Sequence, residues 1–534
     1  MTGKAARSDA YFLRDWASGK LAIFAFALVP IIPVLAIFLA AAPTGPAWNH
    51  VLDTLIWDYI FGTITLVVGG VVGVTLIGVA AAWLVTMCQI PGRAIFEWAL
   101  VLPLAVPVYV AGYAWADLLA IGGPIRDLAG PLASLLPDAR SPETAIFVYT
   151  TILFPYVYIA SRAAFASQSI CVLEASRVLG ASAWGAFFRV GLPLARPAIV
   201  AGAALAGLEI AADFGLADHF GLQTLGIGVF RAWFSSGDLA TAARLASLLM
   251  LGALILLAVE KTAQADTRPG GTSTRWRAIS RLKLGTLEGL LAALFCGGVL
   301  FISFALPLWH LFGLALIHGF PARDLFNPIG ATTLLAGLGS IGALVVAAAA
   351  AWLAKQGQSG TVASQVPIIG YAAPGAVVAL GVLALWTLPG LSQFVGLSGG
   401  GAILALALAY TTRFAAAGQG PFEAGLSMIT PSVSRAASSL GAGPLRRFFQ
   451  IDLPIAAPAA FAAALLVFVE AMKELPATLI LRPLNFDTLA IRAHAYAADE
   501  RLGAAAWPSL LIILVSLGPV LLLSSRLSAS RAGS

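Results

Sequence analysis

Charge is scarce in this chain. Only 10% of its 534 residues are Asp, Glu, Lys or Arg, against about 25% in an ordinary soluble domain. Hydrophobic residues make up 60%, and the mean hydropathy is +0.91. Water cannot be the main solvent of such a chain, so its length does not translate into several soluble domains. Cysteine is also scarce. Cys88, Cys171 and Cys296 show neither CxxC nor paired spacing, which excludes a disulfide framework and leaves them as small core residues. The five histidines (His50, His219, His310, His318, His494) are scattered and form no HExxH or other ligand pair, so no fixed metal site is expected. No GxxxxGK[ST] phosphate loop occurs, so nucleotide is expected to bind elsewhere. No nucleophile–base pair or metal triad suggests an enzyme.

A GxGxxG does occur at Gly337, Gly339 and Gly342, but it lies inside an apolar stretch. No Asp or Glu stands between Asp324 and Glu423 to hold a ribose. These glycines are expected to serve close helix packing.

What is present in abundance is long apolar runs. About 20 apolar residues cross a bilayer, and twelve stretches qualify: 21–42, 60–86, 94–120, 143–165, 197–217, 242–260, 287–310, 330–354, 365–387, 400–417, 456–474 and 505–525. The first follows Lys4, Arg7, Arg14 and Lys20, yet it is longer than the apolar core of a signal peptide and is expected to be a helix of the protein. The fold expected is therefore an all-α integral membrane protein of about twelve transmembrane helices. With an even count both termini face one side, and 22 of the 31 Lys and Arg residues then fall on that side. The positive-inside rule makes it the cytoplasm, so the basic excess needs no nucleic acid. Residues 1–20 and 526–534 become cytoplasmic ends, and the polar stretch 261–286 becomes a cytoplasmic linker.

The chain repeats itself. Tyr149-Thr150-Thr151 recurs as Tyr410-Thr411-Thr412, Leu179-Gly180 as Leu440-Gly441, Leu192-Pro193 as Leu453-Pro454, and Pro197 as Pro458, all offset by 261. VAAAWL at 79–84 matches AAAAWL at 348–353. Two six-helix units follow, 21–260 with its core at 55–260 and 287–525 with its core at 328–525, related by an axis along the membrane normal.

Between the fourth and fifth spans of each unit lies a polar helix–Gly–helix pattern, EASRVLGASAWGAFFRVGLPLARP from Glu174 to Pro197 and RAASSLGAGPLRRFFQIDLPIAAP from Arg435 to Pro458. Glycine tolerates the positive φ of a helix C-terminus. The apolar and basic faces that flank it suit a groove on a partner, where buried aromatics anchor binding. Two copies at matched spacing argue against a loop that merely rests on lipid.

These loops resemble the EAA loops of ABC importer permeases, with the type I, MetI-like arrangement of helices. The resemblance assigns Glu174, Ala175, Gly180, Ala181 and Pro193, and in the second copy Arg435, Ala436, Gly441, Ala442 and Pro454, to coupling with two copies of a cytoplasmic ATPase subunit. It also implies a periplasmic substrate-binding protein, ATP-Mg bound by the ATPases alone, and a bacterial inner membrane. Arg435 replaces the expected Glu, so a contact made by Glu174 does not transfer. The stretches 208–243 and 469–506, above all KELPATLILRP and FDTLAIR, are similar to the fused ferric-iron permeases. Fused thiamine and phosphonate permeases share the architecture, and a secondary transporter of the 6+6 type is the more distant alternative.

Four carboxylates fall at repeat-related positions. Glu209 and Asp213 are expected on one face of the fifth span, and Glu470 and Glu474 on the eleventh. Charge inside a bilayer is expensive unless it faces a cavity or a partner, so the four are expected near the axis between the units. They either line the path and attract a hard cation, or pair with Lys473, Arg231 or Arg492 to hold an outer gate shut.

Overall fold

The computed structural model describes residues 23–167, 185, 187–265, 281–354, 364–388 and 399–529. Among the described residues the regular structure is helical apart from one parallel pair of two-residue strands, Cys88–Gln89 with Leu282–Lys283. Among the described residues nine helices are long and apolar enough to cross a membrane: Trp48–Met87, Pro142–Ala166, Phe187–Ala212, Leu239–Ala263, Thr286–His318, Ala322–Ala354, Gly400–Ser427, Phe448–Met472 and Leu502–Leu521. Their outward faces carry Trp57, Phe61, Leu76, Leu294 and Phe461 exposed, as lipid requires.

Among the described residues the count does not confirm the twelve expected, and proline breaks the spans concerned. The spans expected at 94–120 and 365–387 are each broken. Arg93–Ala105 meets Val108–Leu118 at 92°, and Val366–Ala372 meets Gly375–Trp386 at 109°. Val106 precedes Pro107 with ψ 119°, and Ala373 precedes Pro374 with ψ 96°. A residue before proline is pushed out of the helical region by the ring. Counting each bent pair as one span gives eleven. The span expected at 21–42 is interrupted by a turn at Val29–Pro30, and the helix beyond it, Ile31–Ala40, has only 10 residues.

The chain forms two compact units, and each draws segments from both sequence halves. One contains Met1–Ala47, Ala232–Met250 and Phe326–Thr488. In it Ile31–Ala40 packs on Gly375–Trp386, and a Cβ at Gly381 would strike the Pro33 backbone. Ala322–Ala354 packs on Gly400–Ser427 at Gly339 and Gly342, where the missing Cβ atoms leave room for Tyr410 and Thr411. Two of the three glycines of the GxGxxG thus act in helix packing. Asp238 caps Leu239–Ala265, accepting from Thr241 N–H at 3.0 Å and Thr241 Oγ1–H at 2.7 Å, and also from Ala47 N–H at 3.0 Å.

The other unit contains Trp48–Arg231, Leu251–Leu325 and Leu489–Ser534. Its centre is Trp48–Met87 packed on Pro142–Ser167 and Leu192–Ala212. Gly73 makes room for Thr150, and Gly78 for Val157. Gly73 and Thr150 here match Gly342 and Thr411 in the first unit, so the repeat seen in the sequence is also a repeat of packing. Leu502–Ala529 packs on Leu306–His318, where Trp507 Nε1–H donates to the Ala315 carbonyl at 3.0 Å.

Candidate functional site

The fifth-span helix stops sooner than its hydropathy suggests. It ends at Ala212, and Asp213 is extended, with ψ 134°. Glu209 and Asp213 therefore do not share a helix face. Asp213 turns to the next helix instead, accepting from Leu216 N–H at 3.0 Å and Ala217 N–H at 3.3 Å, and from the Tyr149 hydroxyl at 3.0 Å.

The second copy does the same with a longer side chain. Its helix ends at Met472, and Glu474 accepts from Ala477 N–H at 3.0 Å. Glu474 also lies 2.9 Å from Arg413 Nε, with both side chains almost out of solvent. The Tyr410 hydroxyl, which matches Tyr149, bonds Thr478 Oγ1 at 2.6 Å, and Thr478 donates to the Glu474 carbonyl at 3.0 Å. Glu470 pairs with Lys473 at 2.8 Å. Of the cationic partners expected from sequence, Lys473 is found at Glu470. Arg231 donates to Gln223 at 2.7 Å, and Arg492 lies over the Tyr496 ring at 5.9 Å. Arg413 was not anticipated, because in the sequence it stands in an apolar span 61 residues from Glu474.

Of the residues expected from sequence to form the first coupling loop, Glu174, Ala175, Gly180 and Ala181 lie outside the described residues. Pro193 follows the π-turn Phe187–Gly191 at the second position of Leu192–Ala212, and Pro454 follows the π-turn Phe448–Asp452 at the second position of Leu453–Met472; a proline removes one backbone donor there, and a π-turn is a common adjustment beside such a break. The second loop is described. Helix Pro431–Ser439, carrying Arg435 and Ala436, is followed by Gly441 at φ 79°. Ala442 N–H reaches back to the Ala437 carbonyl at 3.1 Å, the six-to-one bond of a Schellman ending. A short helix Pro444–Arg447 and a π-turn Phe448–Asp452 lead into the membrane helix. Leu440 and Phe449 are exposed.

Each loop is anchored by an aromatic contact that the sequence did not reveal. Phe187 lies 4.6 Å from Trp83, ring to ring. In the other unit, Phe448 packs on the core that holds Trp352, whose ring carries the Arg447 guanidinium at 5.9 Å. Trp83 and Trp352 are the tryptophans of the repeated AAAWL segments. The repeat was a signal for them, but their contact with the loop was not.

Two of the five scattered histidines, His219 and His494, come together around Tyr113. The Tyr113 hydroxyl and His494 Nδ1 are 2.9 Å apart. His494 Nε2 lies 3.4 Å from Asp218, His219 packs against Tyr113 at 4.8 Å, and Arg140 pairs with Glu500 at 2.7 Å. Burial, with Arg140 next, pushes the His219 imidazole down to about 4, so it is neutral at pH 7. The hydrogen bond from Arg140 holds the Glu500 carboxyl below its usual range. Among the described residues no three of His, Cys, Asp and Glu are placed to hold a metal ion.

Against this geometry stand the relatives. The chain is 25% identical over 478 residues to the Fe(3+)-transport system permease protein FbpB 2 of Haemophilus influenzae, covering 87% of this chain and 89% of that protein. It is similar along most of its length to a transport permease. The molybdenum transport system permease protein ModB of Escherichia coli is 32% identical over 142 residues, 26% of this chain and 60% of that protein. The sulfate transport system permease protein CysW of Escherichia coli is 30% identical over 196 residues, 35% of this chain and 65% of that protein. No family model matches the chain. The FbpB 2 match is long enough to run through both sequence halves, whereas ModB and CysW each match about one repeat's worth of this chain. These relatives are permeases and not enzymes.

Proposed function

We propose that this chain is the membrane permease of a binding-protein-dependent ABC importer for ferric iron. Its two six-helix repeats, 21–260 and 287–525, form the translocation path, and two ATPase subunits that bind ATP-Mg dock on the loops at Glu174–Pro197 and Arg435–Pro458. Both termini and the linker 261–286 face the cytoplasm of a bacterial inner membrane. A periplasmic iron-binding protein delivers the cargo from the other side.

The observation that carries the substrate is the extent of the FbpB 2 match, 87% of the chain. The carboxylates support it. In the second copy Glu470 and Glu474 are paired with Lys473 and Arg413, but in the first Asp213 rests on neutral donors, so Glu209 and Asp213 offer hard oxygen ligands to a hard cation and oppose an oxyanion. A second reading, transport of an oxyanion, draws on the higher local identity to the ModB and CysW permeases, but those carboxylates weigh against it.

The test is radioactive uptake in cells lacking the chain and in the same cells complemented with it. Ferric uptake that depends on the chain, with molybdate and sulfate uptake unchanged, supports the iron reading. Chain-dependent uptake of an oxyanion alone overturns it.

A further inference from the structure

Three chain segments change from membrane span to loop at one place in the unit built around Trp48–Met87. Trp48–Met87 ends there, Pro142–Ala166 ends there, and Thr286–His318 begins there. The strand pair joins the first to the last, with Cys88 opposite Leu282 and Gln89 opposite Lys283. Helix Thr286–Leu300 lies along this edge, with Gly289 against Pro91 and Gly297 against Phe96.

Positive charge collects at the same edge. Arg93 Nε–H donates to the Val85 carbonyl at 2.8 Å, and its Nη2 lies 3.0 Å from Glu97. Arg162 takes the other oxygen of Glu97. Arg281 stands close enough for its charge to act on Arg93. Its Nε is buried, and among the described residues no acceptor reaches it. Lys283 is exposed beside it. The nearby carboxylates are already engaged, Glu97 by two guanidinium groups and Glu288 by the Gly285 N–H at 3.2 Å. Four cations against two carboxylates leave a net charge of +2 among these described residues. Next to this charge, Ile95, Leu287, Leu291 and Leu294 form an exposed apolar face.

We propose that Arg281 and Lys283, with Arg93 behind them, hold the phosphate of an anionic phospholipid headgroup, and that its acyl chains lie along the Leu287–Leu294 face. A buried guanidinium nitrogen lacking an acceptor asks for an oxyanion. The position at three span ends sets that oxyanion at headgroup depth, and basic pockets between cytoplasmic span ends suit anionic headgroups. The continuous apolar face selects a lipid over free phosphate, which would gain nothing from it. The linker would then be fastened to the first repeat by a strand pair and a lipid together.

The full chain is purified in detergent with mixed phosphatidylglycerol and phosphatidylcholine, then washed, and the retained lipid is measured by mass spectrometry. Wild type is expected to retain phosphatidylglycerol preferentially. Arg281→Gln and Lys283→Gln are each expected to reduce retention about fivefold, the weight of one cation near an anionic surface. The charge-keeping pair Arg281→Lys with Lys283→Arg is expected to restore it, which separates lost charge from lost fold. Equal retention of the two lipids, or retention unchanged in the double Gln variant, overturns the proposal. So does displacement by millimolar inorganic phosphate, which identifies the ligand as the free anion. Iron uptake takes no part in this measurement, so the substrate reading stands or falls separately.

Discussion

Arg413 holds Glu474 at 2.9 Å, Nε to carboxylate, and at 3.2 Å its Nη1–H donates to the Ala373 carbonyl beside the Pro374 bend. One guanidinium therefore ties the end of the eleventh span to the break in the ninth. Removing one partner of a buried pair leaves the other charge uncompensated, a loss of about 3–5 kcal/mol. Glu474→Gln is expected to lower the melting temperature of the purified chain and Arg413→Gln to do the same, while the double Gln variant recovers part of the loss. The cycle is read by thermal unfolding in detergent. Simple additivity of the two losses would mean that the pair is not coupled.

The second of the two loops proposed to couple to the ATPase turns at Gly441, whose φ of 79° is costly for a residue with a Cβ by about 1–2 kcal/mol. Gly441→Val is expected to weaken association with the ATPase subunit about tenfold and to leave docking of the binding protein unchanged. Co-purification of each partner with wild type and variant measures both. Unchanged ATPase association would remove this turn from the coupling role.

How far the sequence reached follows from what kind of signal each feature leaves. Hydropathy located the spans, because a bilayer sets their length. It missed the bends at Pro107 and Pro374, since a proline inside an apolar run lowers the average too little to register. The repeat predicted the positive φ at Gly441, a local property. The same repeat placed Asp213 and Glu474 on helix faces, whereas both stand past the helix end and turn to cap the next short helix. Distant partners such as Arg413 with Glu474 and His494 with Tyr113 leave no sequence trace, because neither helical spacing nor the repeat offset relates them.

His219 makes part of the stability depend on pH. Burial and Arg140 lower its pKa to about 4, against about 6.5 when unfolded. Between those values the unfolded state binds the proton and the folded state does not, so stability rises with pH across that window. Its contribution is complete above about pH 6.5 and is lost as the pH falls toward 4. Acidification from pH 7 to pH 5 is expected to remove about 2 kcal/mol through this residue. His219→Gln is expected to flatten that part of the slope in melting curves recorded at several pH values. An unchanged slope would assign the acid sensitivity to other groups.

Topology gives a direct check on orientation. The proposed cytoplasmic linker contains Thr272, and Thr272→Cys is expected to react with an impermeant maleimide only after the cells are permeabilised. A cysteine in the outer segment 120–141 is expected to react in intact cells. Labelling of Thr272→Cys from outside would invert the proposed orientation and, with it, the side on which the ATPase docks.

Path and gate make different demands on the carboxylates. Glu470 is held by Lys473 at 2.8 Å and Glu474 by Arg413, as a gate requires. Asp213 instead rests on neutral donors, the Tyr149 hydroxyl and two backbone N–H groups. We propose that this contrast divides the roles between the copies, with carboxylates paired to cations in the second and a carboxylate held by neutral donors in the first. Replacing Glu470 by Gln removes the ion pair with Lys473 and is expected to raise basal ATPase activity of the reconstituted complex without cargo. Replacing Glu209 by Gln keeps the side-chain size and removes a charge one helical turn before Asp213; it is expected to lower ferric uptake several-fold with basal ATPase unchanged. If both variants change the same quantity, the two copies share one role. If both match wild type in uptake and in ATPase activity, these carboxylates neither line the path nor close it.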